Sequence, residues 1–413
     1  MIDSSRDGGA SNRSGLVVWA LEPYFGGSHK YFLEGLARHS GHDLTLFTLP
    51  GRHWKWRMHG GALSLARNTR DRRSAAIAAD AGALDDRPDV LFASDMLDLP
   101  VFLAAVDPEA ARAPAIVYFH ENQLTYPLPL GVDRDLGYGF KNLAAAVAAQ
   151  TVLFNSDYHR REFLEAAARL LQTMPDEIPL WAVEGVETKA RVLPVGCDLR
   201  RFDRYFSRAR SEAAADRWGD RTTGPLIVWN QRWEYDKAPA ELFAALYELR
   251  ASGVGFRLAM AGPNQGTPTA EFLRAREELA DHIVQWGKVK TASDYASLLW
   301  SSDVVVSTAV HEFFGIAVVE AMYCGCRPVL PRRLSYPEIV PREVHGEVLY
   351  GEGELVTALK RALAQPGAWS EDWQRTWVAR FDWASLIARY DEEIWRCWEN
   401  AMRARGPSRP APQ

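Results

Sequence analysis

Arg232 and Lys237 bracket the segment Arg232-Trp-Glu-Tyr-Asp-Lys237, while Glu312, Gly315 and Glu320 punctuate His311-Glu-Phe-Phe-Gly-Ile-Ala-Val-Val-Glu320. Two cations of different kind suit a departing phosphate, because a guanidinium forks two oxygens and an ammonium supplies a point charge. Both would stabilise the negative charge that grows as a sugar–diphosphate bond breaks, and both are expected to face solvent. Glu312 can accept from sugar hydroxyls. Glu320 lies about two turns beyond Glu312, in a helix expected from Gly315 to Cys324, so with Glu312 in the loop before that helix the pair reaches opposite ends of an extended ligand, and a ribose diol is the natural partner of Glu320. Gly315 and Ile316 open that helix, whose first N–H groups form a third anion site. Together these residues suit a nucleotide sugar. No metal site is expected, since His311-Glu312 lacks the second histidine of a zinc helix.

The first half holds three further clusters. Glu22-Pro-Tyr-Phe-Gly26-Gly27-Ser28 is expected as a loop between a strand and a helix; Gly26 and Gly27 either let backbone approach a phosphate or simply form a turn. His120-Glu121-Asn122-Gln123 follows a strand directly, placing an imidazole and further polar groups at a sheet's carboxyl edge, and Asn155-Ser156 is similar in kind. Pro50-Gly-Arg-His-Trp-Lys-Trp-Arg-Met-His-Gly-Gly61 is the most basic and aromatic stretch and is expected as a long loop. Arg52, Lys55 and Arg57 can meet phosphates while Trp54 and Trp56 stack on unpaired bases; alternatively the two tryptophans anchor the loop.

Positioning these groups requires alternating strands and helices, twice over. Strands are expected at Leu16–Leu21, Asp43–Thr48, Val90–Ala93, Ala115–His120, Thr151–Asn155 and Val192–Val195. A second set runs Leu226–Trp229, Phe256–Ala261, Ile283–Trp286, Asp303–Thr308 and Arg327–Leu330. The helices between them include Asp157–Leu171, opened by an Asp cap, and a final helix from Trp383 to about Arg403 whose apolar stripe includes Trp395. The fold class is therefore α/β with two parallel, Rossmann-like domains. The expected boundaries are a disordered leader at 1–14, an acceptor-side domain at 15–200, a linker at 201–223, a nucleotide-sugar domain at 224–378, a crossover helix at 379–404 and a disordered tail at 405–413.

The 413 residues exceed one ordinary core, and a net charge of −5 advertises no general nucleic-acid field. Four cysteines without framework spacing read as buried or free thiols of a reducing compartment. Without a signal-peptide pattern or an apolar run of bilayer length, the expectation is a cytoplasmic protein with no stable membrane association. Oligomeric state is not legible.

The Arg232, Lys237, Glu312 and Glu320 pattern resembles retaining glycosyltransferases of the family-four, two-Rossmann (GT-B) kind. Leu21-Glu-Pro-Tyr-Phe-Gly-Gly-Ser-His-Lys30, Leu49-Pro-Gly-Arg-His-Trp-Lys-Trp-Arg-Met-His-Gly-Gly-Ala62, His120-Glu-Asn-Gln-Leu-Thr-Tyr-Pro127 and Phe154-Asn-Ser156 are similar to the amino-terminal half of the tRNA-queuosine α-mannosyltransferase family. That resemblance implies facing domains with a C-terminal helix crossing back, and transfer of mannose from GDP-mannose to queuosine in a tRNA anticodon, without a metal or other cofactor. It implies His120, Arg232, Lys237 and Glu312 in catalysis, and Gly26, Gly27, Gly315, Ile316 and Glu320 on the donor. Arg52, Trp54, Lys55, Trp56, Arg57, Glu121 and Asn122 would face the acceptor. Open alternatives are another nucleotide sugar with a non-RNA acceptor, a sugar-nucleotide epimerase and a non-catalytic sensor.

Overall fold

The computed structural model describes residues 15–78, 87–128, 131–209, 218, 223–263, 268–364 and 371–405. The expected leader and tail and most of the expected linker lie outside these residues.

Six parallel strands form the first sheet: β1 (Val17–Phe25), β2 (Asp43–Pro50), β3 (Val90–Ser94), β4 (Ala115–Phe119), β5 (Thr151–Phe154) and β6 (Ala190–Val192), in the order β2-β1-β3-β4-β5-β6. The second sheet comprises β7 (Leu226–Trp229), β8 (Arg257–Met260), β9 (Ile283–Trp286), β10 (Val304–Val306), β11 (Arg327–Pro331) and β12 (Leu349–Tyr350), ordered β12-β11-β10-β7-β8-β9. Continuous apolar runs such as Leu-Ile-Val-Trp in β7 and Val-Val-Val in β10 are buried on both faces, as a parallel sheet covered by helices requires. In the second sheet the order reverses between β7 and β10, and loops at such a reversal point diverge at the carboxyl edge to leave a crevice. The loops carrying Lys237 and Glu312 leave those two strands.

By internal contacts the described chain forms two compact units. One holds residues up to Tyr118, Lys141–Val152 and those from Ile387 onward; the other holds Phe119–Phe140 and Leu153–Leu386. In the first unit the final helix, Trp383–Arg405, is tied down by Asp391, which accepts from Ser40 Oγ at 2.6 Å, and by Tyr390 beside Tyr118. Its buried stripe runs through Tyr390, Ile394 and Cys397; Trp395 is 42 % exposed and stacks beside His42 rather than entering the core.

Several expected boundaries shift for identifiable reasons. Glu22-Pro-Tyr-Phe is strand, not loop, because β1 resumes pairing with β2 at Phe25 opposite Pro50 after an irregularity. Ser156, not Asp157, caps the helix Asp157–Gln172: Ser156 has extended backbone and its Oγ accepts from His159 N at 3.1 Å. β6 ends at Val192, and β10 stops at Val306 because the next residues turn to the neighbouring loop. The largest departure is the stretch expected as a basic loop. From Trp54 it is a helix reaching Ala78. Two glycines disguise it, and both have packing reasons: a Cβ on Gly60 would strike the Trp56 ring at 2.6 Å, and one on Gly61 would strike Pro23 at 2.7 Å.

Candidate active site

The site in the second unit is built by stitching the loop after β7 to the loop after β10. Thr308 Oγ1 donates to Lys237 O at 2.7 Å, and the amides of Val310 and His311 donate to Asp236 O. Ala238 sits in the left-handed region (φ 43°) immediately before Pro239, a strained conformation held by these bonds and placed directly after the lysine. Gly262 packs so closely under the first loop that a Cβ would lie 1.4 Å from Gln231 O.

Lys237 is buried, contrary to the expected solvent-facing side chain. Its Nζ donates to His311 O at 2.8 Å and lies 3.1 Å from Asp236 Oδ2 and 3.3 Å from Glu312 Oε2. Burial by itself lowers the ammonium's pKa, but Glu312 and Asp236 outweigh it, and the amine is held above its ordinary value. Glu312 responds in the opposite sense: burial would raise it, yet Lys237 and then His311 pull its carboxyl down. The amine is thus a fixed cation and Glu312 a fixed anion. Arg232 is exposed, paired with Glu234 at 3.3 Å. Burial lowers its pKa, and Glu234, Tyr126 and Asp236 more than reverse this, so its charge is permanent.

Gly315 has φ 99°, which an L side chain rarely adopts, and it starts the helix Ile316–Tyr323 as expected. The first N–H groups of a helix lack intrahelical partners, so Gly315 and Ile316 stand at an anion-favouring terminus. Glu320 is buried on that helix, with Oε1 accepting from Arg201 Nη2 at 2.6 Å and Oε2 from Tyr295 OH at 3.0 Å. Burial raises its pKa and Arg201 only partly opposes the rise. Each carboxylate oxygen retains a second lone pair for a ligand hydroxyl. Sequence reasoning missed Arg201 and Tyr295. Arg201 lies in the segment read as linker, and no local signal ties either residue to a glutamate far along the chain.

The His120 segment joins the same unit. His120 is the first residue beyond β4, and its carbonyl accepts from Asn155 Nδ2 at 2.9 Å. Asn122 Oδ1 serves the loop itself, accepting from Leu124 N and Thr125 N at 3.0 Å each, whereas its Nδ2 is buried with no partner. Glu121 accepts from Gln123 Nε2 at 3.1 Å. Tyr126, another residue sequence reasoning passed over, sets its ring edge-on to His311 at 4.8 Å, and its phenol is near enough to Arg232 to help raise that guanidinium's pKa. Arg134 fastens this loop by donating to Gln123 O and Tyr126 O at 2.7 Å each. His311 is buried, and burial with Lys237 nearby lowers its pKa to about 4, so the ring is neutral at ordinary pH.

In the first unit Gly26 follows β1 as the N-cap of the helix Gly27–His39, which Gly27 opens. Gly26 has extended backbone and is glycine because Gly51 packs against it, while Gly27 takes φ 54° with open space around its Cα. Arg52, Trp54, Lys55 and Trp56 are all exposed and Arg57 is half-buried, with its Nε donating to Pro50 O. At 36 % and 62 % exposure, Trp54 and Trp56 do not anchor a loop.

Residues 17–197 match the family described as tRNA-queuosine alpha-mannosyltransferase N-terminal, and residues 211–375 match glycosyl transferases group 1. The tRNA-queuosine alpha-mannosyltransferase of Drosophila melanogaster is 36 % identical over 327 residues, covering 79 % of this chain and 82 % of that one. The chain belongs to the tRNA-queuosine alpha-mannosyltransferase family. It is a glycosyltransferase, which removes the epimerase and sensor alternatives. More distantly, the family member resembles the GDP-mannose:cellobiosyl-diphosphopolyprenol alpha-mannosyltransferase of Xanthomonas campestris, 26 % identical over 235 residues, or 55 % of this chain and 58 % of that protein. The catalytic domain of starch synthase IV from Arabidopsis thaliana, solved with ADP and acarbose, shares the fold at TM-score 0.67 and 14 % identity, covering 94 % of this chain and all of that one. The fold is thus of the GT-B kind.

Proposed function

We propose that the protein transfers mannose from GDP-mannose to the cyclopentene diol of queuosine in a tRNA anticodon, with retention at the anomeric carbon. The carrying observation is the convergence of Lys237, Arg232 and Glu312 at the β7/β10 reversal in a chain of this family. In the reaction the bond from the sugar's C1 to the β-phosphate oxygen breaks and one from C1 to the acceptor oxygen forms. The acceptor's proton passes to the departing phosphate, so GDP leaves with it. Lys237, Arg232 and the helix opening at Gly315 and Ile316 hold the diphosphate, with Gly26 and Gly27 as its backbone neighbours. Glu312 holds sugar hydroxyls, His120 the sugar, and Glu320 the ribose. These fixed charges supply the electrostatic stabilisation a metal otherwise would, so the reaction is metal-independent.

The acceptor side is assigned to 15–200, with Arg52, Trp54, Lys55, Trp56, Arg57, Glu121 and Asn122 contacting RNA, and the donor side to 224–378. Among the described residues no helix is long and apolar enough to cross a membrane; the cytoplasm is proposed as the site of action because the proposed acceptor is a tRNA. The test is incubation with GDP-mannose or UDP-glucose and total tRNA, then mass analysis of nucleosides. Mannosyl-queuosine only with GDP-mannose is expected; a hexose on queuosine from UDP-glucose alone refutes the donor, and unmodified tRNA refutes the acceptor.

A further inference from the structure

The Trp54–Ala78 helix carries an outward stripe that the donor chemistry does not use. Trp56, His59, Leu63, Arg67, Arg70 and Ser74 are all exposed, and their spacing of three and four residues puts them on one face. Met58, Ala62, Leu65, Ala66 and Thr69 bury the opposite face. Along the helix the cations Lys55, Arg57, Arg67, Arg70, Arg72 and Arg73 stand against Asp71 as the sole acid, in a chain whose net charge is −5. Arg73 is occupied by Asp107 and Glu109, and Arg72 lies against Phe47, but among the described residues Arg67 pairs only with the exposed Asp71, at 3.5 Å. Arg70 touches the backbone of Ala105 while remaining exposed.

The stripe is graded. Its first turns present Trp56 and Leu63, 62 % and 57 % exposed, and its later turns present Arg67 and Arg70. The aromatic end adjoins the carboxyl ends of β1 and β2, through the close packing of Gly26 on Gly51 and of Gly61 on Pro23. The cationic end lies beside Ala105, Asp107 and Glu109. Fourteen residues of helix from Trp56 to Arg70 span about 21 Å, enough to pass from an unpaired loop on to an adjoining stem.

We propose that this face is the track for the anticodon arm, with loop bases against Trp56 and Leu63 and stem phosphates against Arg67 and Arg70. The inference rests on the tRNA reading above and deepens it. Aromatic faces suit splayed loop bases, whereas a paired stem offers a protein chiefly its backbone. The grading from apolar to cationic follows the change from loop to stem. It also reconciles a net-acidic chain with a polyanionic substrate, because six of its 48 Lys and Arg residues stand on this one helix against a single acid, a local positive excess.

The experiment is steady-state mannosylation of queuosine-containing tRNA by the Arg67→Glu/Arg70→Glu variant and by Trp56→Ala, at about 50 and 200 mM salt. The arginine variant is expected to raise KM at least about tenfold and to make the salt dependence of kcat/KM shallower by about two logarithmic units per decade, because each neutralised phosphate contributes roughly 0.9. Trp56→Ala should raise KM about five- to a hundredfold by loss of stacking. Calorimetric GDP affinity and the thermal midpoint should match wild type for the arginine variant, establishing an intact fold. Unchanged KM and salt slope in that variant, with wild type active on tRNA, overturns this inference alone; altered sedimentation accompanying such unchanged kinetics would reassign the face to a protein partner. A wild type inactive on queuosine-tRNA overturns the acceptor reading and this inference with it.

Discussion

Replacing Lys237 by Met removes a buried ammonium from between two carboxylates, and the structure predicts two separable losses. Asp236 is 1 % exposed, and Lys237 Nζ lies 3.1 Å from its Oδ2. Without the amine that carboxylate is an uncompensated buried charge, and breaking such a pair costs about 3–5 kcal/mol. A domain of ordinary stability holds about 5–15 kcal/mol, so the variant should fold but unfold at a clearly lower urea midpoint. Adding Asp236→Asn neutralises the stranded charge and should recover most of the loss. Turnover behaves differently: removing one charge-stabilising donor costs about two to three orders of magnitude, and the double variant does not regain it. The lysine's raised pKa means its stabilising charge is present below the unfolded value and lost only as pH rises through the higher folded one, so neutral assays see it fully charged. Urea unfolding and labelled-donor turnover of both variants provide the measurements. A single-variant stability within about 0.5 kcal/mol of wild type would refute the buried-pair reasoning, and turnover restored by Asp236→Asn would refute the phosphate role.

Three further outcomes are expected. Glu320→Ala should weaken GDP binding about ten- to a hundredfold through the loss of charged hydrogen bonds to ribose; unchanged calorimetric affinity contradicts that assignment. His311 has a folded pKa of about 4 against about 6.5 unfolded, so the unfolded chain binds the extra proton between those values and stability falls as pH drops through that window, by about 2 kcal/mol from pH 7 to pH 5. His311→Gln should flatten this slope, leaving the part due to His159, which burial shifts the same way; an identical slope in the variant argues against it. Gly262→Ala forces a Cβ to 1.4 Å from Gln231 O, where backbone has little room to give, and should cost at least about 3 kcal/mol, so a urea midpoint equivalent to under about 1 kcal/mol of loss would show that the loop can move.

Sheet strands such as Leu226–Trp229 were legible because a covered parallel strand is apolar throughout, and this one appears at its expected bounds, buried at every position. Elements whose local signal conflicts with their packing were not. Gly60-Gly61 reads as a loop, yet Gly60 lies under the Trp56 ring one helical turn before it and Gly61 packs on Pro23, a contact nothing nearby in the sequence announces. Ser156 and Asp157 are both good caps by type, and only the extended backbone of Ser156 chooses between them.

Residue type and strand-end position by themselves pointed to one edge of the second sheet, where Lys237 Nζ lies 3.3 Å from Glu312 Oε2, because a parallel sheet gathers its loops at its carboxyl edge. They also determined the family, through strings such as His120-Glu-Asn-Gln-Leu-Thr-Tyr-Pro127. Tertiary structure alone decided how those groups are charged and held. Lys237 is buried and raised by Asp236 and Glu312, Glu320 is gripped by Arg201 and Tyr295, and Tyr126 reaches Arg232. Each of these depends on partners distant in the chain, and burial and pairing are properties of the folded neighbourhood that no local spacing encodes.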